Sequence, residues 1–157
     1  MPAVFLSRGW TPMNADQFQT RTNPIEPPMD ADERRSRLDR ITEKIIGCVH
    51  QVSNTLGTGF LEKVYENALV VELGLVGLRV AQQRRIEVYY RDNLVGDFVA
   101  DLLVEECVIV EIKAIRALED IHTAQCVNYL KATALQVCLL VNFGAAKATV
   151  KRIVYGF

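Results

Sequence analysis

At 157 residues, half of them hydrophobic and about a quarter charged, the chain has the size and composition of one globular domain with its own core. A net charge of −1 gives no global field to steer it toward a polyanion, so any contact with nucleic acid rests on local groups. The four cysteines form no Cys-x-x-Cys pair and sit in apolar segments, as reduced core residues of a cytoplasmic protein do, and no apolar run is long enough to span a bilayer.

All five prolines lie among residues 1–28, where no periodicity is sustained. Residues 1–36 therefore read as a disordered tail and 37–157 as the folded domain. Met29 opens a more regular stretch and is a second candidate initiator. Ser36 or Asp39 is placed to cap a helix whose apolar residues Ile41, Ile45, Val49, Val52 and Leu56 recur at helical spacing. Gly57-Thr58-Gly59 ends it, and without a following Gly-Lys-Ser/Thr these glycines read as a turn between helices, not a phosphate loop. A second helix is predicted from Leu61 to Leu75. Glu62 falls on its apolar stripe with Tyr65, Leu69 and Leu73, which turns the carboxylate inward; its place in the first turn equally suits an exposed partner of the helix dipole.

Past Gly77 the pattern becomes that of strands. Val80–Tyr90, Leu94–Glu105 and Cys107–Ile115, joined by short turns, predict an antiparallel meander. In the second strand Asp97, Val99, Asp101 and Leu103 share one face, and Asp101 stands in the strand interior, where aspartate is disfavoured. In the third, Glu111 and Lys113 share one face, and Val110 and Ile112 the other. Charges in so apolar a strand are costly unless they are paired or bind something, so they form either a buried ion pair or a reactive site. A site needs Asp101 beside Glu111. A two-residue turn at Glu105–Glu106 would instead pair Asp101 with Val110, whereas a three-residue loop, Glu105 to Cys107, or a bulge sets Asp101 opposite Glu111. A helix over Leu118–Ala132 then carries His122, Gln125 and Tyr129 as a polar line, and Gln136–Asn142 and Thr149–Tyr155 read as two more strands. The order of elements is that of an α/β fold.

Gly59-Phe60-Leu61-Glu62-Lys63-Val64-Tyr65, then Asp101, then Glu111-Ile112-Lys113, then Gln125 with Tyr129, occur in the order found in the GxxExxY family of the PD-(D/E)XK nuclease superfamily, which the chain resembles over residues 39–157. The last pair is similar to the Gln-x-x-x-Tyr element of RecB-like nucleases. Ala100 stands where the superfamily name has proline, and Ser53 where family members often carry histidine. The resemblance implies a restriction-endonuclease-like α/β core, with a mixed central sheet, the three-strand meander plus two further strands, flanked by helices. It implies a metal-dependent nuclease that hydrolyses phosphodiester bonds of DNA, with RNA as the other candidate substrate, or else a non-catalytic module of the same fold that binds nucleic acid or a protein. Under the first reading Asp101, Glu111 and Glu62 ligate Mg²⁺, with Mn²⁺ as its substitute, Lys113 acts with them in catalysis, and Gln125, Tyr129 and Tyr65 position the substrate. Contacts to a nucleic acid would come from local cations such as Arg84, Arg85, Arg91, Lys147, Lys151 and Arg152. No membrane partner is expected, and a homodimer is a candidate assembly.

Overall fold

The computed structural model describes residues 5–6 and 28–156. Helix α1 (Ala31–Leu56) begins where the sequence supplies both halves of a capping box: the Glu33 N–H donates to the Asp30 carboxylate (2.8 Å) and the Asp30 N–H to the Glu33 carboxylate (3.3 Å). It therefore starts before both expected caps, Ser36 and Asp39, and includes residues 31–36 of the expected tail. The opening turns are mostly charged, and the buried stripe that signals a helix begins only at Leu38. Of the remaining tail, Phe5–Leu6 forms a short strand, β1, paired antiparallel with Tyr89 and Val88; the reading of residues 1–4 and 7–27 as disordered lies outside the described residues.

Gly57, at φ 67°, closes α1 by donating its N–H to the Ser53 carbonyl (2.9 Å), and α2 follows at Glu62–Leu75. Then come β2 (Val80–Tyr90), β3 (Asn93–Val104), β4 (Val108–Lys113), α3 (Asp120–Thr133), β5 (Val137–Asn142) and β6 (Thr149–Val154). The five expected strands form a mixed sheet in sequential order, with β1 added beside β2. Only β4 and β5 are parallel, and a parallel pair needs a crossover, which α3 supplies. Helices α1 and α2 cover one face of the sheet, over Leu102, Val110, Ile112, Leu139 and Val141, while α3 covers the other, over Ala100, Leu103, Ile109 and Leu140. Both faces of β4 and β5 are thus buried, which accounts for their nearly continuous apolar runs.

The β3–β4 turn has the odd length that a site requires. Glu105 and Glu106 take left-handed backbone angles (φ 51° and 57°), the Cys107 N–H returns to the Val104 carbonyl (3.0 Å), and the strands pair Val104 with Val108 and Leu102 with Val110. Continuing that register sets Asp101 opposite Glu111. The ladder stops at Leu102 and Val110, and from Ala100 outward β3 pairs with β2 alone. Strict alternation also stops there: Ala100 and Leu103 both pack under α3, while Leu102 packs under α1 and α2. The expectation that Asp97, Val99, Asp101 and Leu103 share one face therefore fails at Asp101. Its counterpart on β2, Gln83, is left-handed at φ 51°.

Replacing Asp30 by alanine is expected to cost about 1 kcal/mol through loss of the cap, lowering the melting temperature by about 3 °C. An unchanged thermal transition in Asp30→Ala would show that the capping box does not anchor α1.

Candidate active site

Where the β3–β4 ladder ends, carboxylates take over the backbone donors of β4. Oδ2 of Asp101 accepts the Ile112 N–H at 2.7 Å, and Oε1 of Glu62 accepts the Ala114 N–H at 3.3 Å. Glu111 is only 4 % exposed; its Oε2 lies 3.5 Å from the Asp101 N–H and its Oε1 3.7 Å from Nζ of half-buried Lys113. Asp101, Glu111, Lys113 and the rim residue Glu62 are thus brought together. Glu62 does not face inward as its stripe predicted: as the first residue of α2 it is exposed, and the buried carboxylate of that helix is Glu66, one turn later.

Burial pushes the Glu111 carboxyl up to about 8; the Asp101 charge adds to the rise and Lys113 opposes it. Burial raises Asp101 as well, against the hydrogen bond from Ile112, with the Glu66 and Glu62 charges adding to the rise. A buried carboxylate beside a half-buried one favours holding a proton or a cation between them.

Gln125 and Tyr129 meet on α3, where the Gln125 amide donates to the Tyr129 hydroxyl (2.8 Å), which in turn donates to the Val99 carbonyl (3.4 Å), two residues from Asp101. Burial, followed by the charge of Glu111, holds the Tyr129 phenol above its usual range. His122 has a different task from its polar neighbours: its Nδ1 accepts the Glu119 N–H (2.9 Å) at the start of α3. Tyr65, expected to position substrate, is fully buried, stacked on Phe143 at 4.5 Å between ring centroids. Its hydroxyl donates to the Gly57 carbonyl (2.6 Å) and accepts the Phe60 N–H (3.3 Å), so it reaches the site only through the turn that presents Glu62.

Three further residues, Glu66, Asn142 and Gly144, build the site and lie outside the sequence motifs. Glu66 is 3 % exposed and accepts from Lys63 (3.0 Å), Gln82 (2.9 Å) and Gln83 (3.0 Å). Burial alone would raise its carboxyl, but those donors together hold it below the usual range. Its signal was present in the sequence, since Glu66, Leu69 and Leu73 lie at i, i+3 and i+7. Asn142, the last residue of β5, pins the segment after Lys113 by accepting the Ile115 N–H (3.1 Å) and donating to the Ile115 carbonyl (2.9 Å). Gly144 lies against that segment so closely that a Cβ would overlap the Ile115 carbonyl.

Several of the expected nucleic-acid contacts have structural partners. Arg85 pairs with Glu87 (2.9 Å) and Asp97 (3.1 Å), Arg152 with Asp39 (2.7 Å), and Lys151 donates to Thr123 (3.0 Å). Arg91 lies over the Tyr90 ring at the β2–β3 turn, Arg84 is half-buried and Lys147 is exposed. A cavity of about 450 Å³ lined by Arg37, Leu38, Cys107, Leu130 and Tyr155 lies at the opposite end of β4 from Lys113 and contains none of the site residues.

Among the described residues no three Asp, Glu, His or Cys side chains gather into a ready cation cage. Asp101 and Glu111 nevertheless offer oxygen donors on neighbouring strands, and Oδ1 of Asp101 is not taken by the backbone. That set fits a hard divalent ion, which keeps several waters and needs only one or two carboxylates.

A family model of the PD-(D/E)XK nuclease superfamily matches residues 39–153, and the chain belongs to that superfamily. The mixed sheet flanked by helices is consistent with the restriction-endonuclease-like fold. Comparison with curated proteins finds no match, and comparison with solved structures finds none. Membership points to a nuclease and to nucleic acid as its ligand. No helix among the described residues is long and apolar enough to cross a membrane.

In metal-free protein the Glu111 carboxyl stays protonated up to about pH 8, whereas the unfolded chain releases that proton near the ordinary carboxylate value. Between these values the folded state binds more protons, so stability falls as pH rises through the window and levels off above it. Thermal unfolding of wild type from pH 5 to 9 is expected to show this decline, and Glu111→Gln to flatten it. Equal slopes in the two proteins would remove Glu111 as the titrating group.

Proposed function

We propose that the protein is a divalent-metal-dependent nuclease of the GxxExxY family that hydrolyses phosphodiester bonds of DNA, with RNA as the alternative substrate. The observation that supports this reading is the meeting of Asp101 and Glu111 past the end of the β3–β4 ladder, with the Glu111 carboxylate 3.5 Å from the Asp101 N–H and 3.7 Å from Nζ of Lys113. Asp101 and Glu111 would hold Mg²⁺ or Mn²⁺, and the exposed Glu62 carboxylate would complete the set from the rim, directly or through water. Bound there, the ion supplies a water of lowered pKa and a charge that neutralises the phosphoryl oxygens.

The chain's own groups do the rest. Lys113 orients the attacking water and stabilises the charge that develops on the phosphorane-like transition state. As a ligand Glu111 would be ionised, its proton passed to solvent, and would give Lys113 an anionic partner at 3.7 Å. Gln125 is half-buried and presents the remainder of its carboxamide toward the scissile phosphate, while Tyr129 fixes it against β3. Tyr65 holds the Gly57–Phe60 turn and so sets the reach of Glu62.

A second reading, a non-catalytic module that binds nucleic acid or a protein partner, draws support from the absence of a basic surplus and from the ion pairs of Arg85 and Arg152. The two are separated by incubating the full chain with single-stranded, double-stranded and branched DNA and RNA in Mg²⁺ or Mn²⁺. Wild type is expected to cleave at least one of these. Lys113→Ala and Glu111→Ala should each slow cleavage by about 100-fold or more while melting cooperatively. Undiminished cleavage by folded Lys113→Ala would exclude its assigned role, and binding without cleavage by wild type would favour the second reading.

A further inference from the structure

Gln82 and Gln83 are consecutive residues of β2, and side chains of consecutive strand residues point to opposite faces. Both nevertheless bond the same carboxylate, that of Glu66 on α2. The left-handed backbone of Gln83, φ 51°, makes this possible by interrupting the alternation between the pairs Gln82–Leu102 and Arg84–Ala100. A non-glycine residue in that conformation within a strand is uncommon and strained, and strain of this kind collects at functional sites.

The side chain so directed makes three contacts. Its Nε2 lies 3.0 Å from each Glu66 oxygen and 3.5 Å from Oδ1 of Asp101, the oxygen that the Ile112 N–H leaves free. Glu66 is itself immobilised by burial and by Lys63 and Gln82. We propose that Gln83 is a positioning residue for Asp101: anchored on Glu66, its carboxamide sets the direction of the one Asp101 oxygen available to a cation. The proposal rests on the reading of Asp101 as a metal ligand. It makes the β2 backbone break part of the site, and assigns Glu66 the task of selecting the Gln83 rotamer.

Glycine suits φ 51° better than glutamine, so Gln83→Gly relieves backbone strain while deleting the carboxamide. This sets stability and positioning against each other. The full chain as wild type and as Gln83→Gly is titrated with Mn²⁺, with free ion read by electron paramagnetic resonance, alongside thermal melts and steady-state cleavage. The expected result is a melting temperature equal to or above wild type, Mn²⁺ binding at least tenfold weaker, and a similar fall in kcat with KM for the oligonucleotide unchanged. Wild-type Mn²⁺ affinity in Gln83→Gly overturns the positioning role, and so does a melting temperature that falls together with affinity, because that outcome makes Gln83 merely structural. Wild type that binds no Mn²⁺ overturns the functional reading itself, and this inference with it.

Discussion

The register between β3 and β4 is the constraint on which the rest depends. A three-residue turn at Glu105–Cys107 pairs Leu102 with Val110, and the next residues along, Asp101 and Glu111, meet where that ladder ends, 3.5 Å between the Asp101 N–H and the Glu111 carboxylate. A shift of one residue would turn the whole set of side chains to the other face and bury Asp101 against apolar neighbours with no partner. Two consecutive left-handed residues, Glu105 and Glu106, make the turn. Glu105 is held there by Arg79, whose side chain reaches it at 2.9 Å and whose backbone N–H reaches it at 2.7 Å.

Past Leu102 and Val110 the ladder gives way to side chains. The N–H groups of Ile112 and Ala114, which β3 no longer serves, are taken by Asp101 and Glu62. Buried donors and acceptors must be paired, so interrupting the sheet fixes the carboxylates as much as it exposes them. The same interruption leaves Glu111 dry beside Asp101, with Lys113 at 3.7 Å as incomplete compensation. Under the proposed function, a notch of this kind exchanges a proton for a cation. Its walls are fixed from three directions: by α2 through Glu66, by α3 through Tyr129 and by β5 through Asn142.

Period and turn chemistry made much of this legible from the chain. The apolar runs of β4 and β5, the Glu-x-Lys alternation and the odd β3–β4 loop follow from side-chain direction on a strand, and the sheet has them. What stayed hidden depends on breaks in those periods. The first turns of α1 carry no apolar stripe, so no period in the sequence points to a cap as early as Asp30. The left-handed angle at Gln83 cannot be read from a glutamine, and without it the shared face predicted for Asp101 and Leu103 was wrong. Glu62 and Glu66 lie one turn apart on one helix face, and spacing does not say which is buried; the turn held by Tyr65 places Glu62 at the mouth. Asn142 and Gly144 act on a segment nearly thirty residues earlier, a proximity that only the parallel pairing of β4 with β5 creates.

The central claim is that the Asp101–Glu111 pair binds a divalent ion in the native state, and thermal unfolding across a Mn²⁺ titration tests it most directly, comparing wild type with Glu111→Gln. An ion that binds only the folded chain stabilises it by about 2.7 kcal/mol at a hundredfold excess over its dissociation constant. Wild type should show a saturable rise in melting temperature. Glu111→Gln, neutral like the protonated Glu111 of the metal-free protein, should begin at about equal stability and lose the rise. An equal shift in both proteins, or none in either over the millimolar range, would contradict the claim.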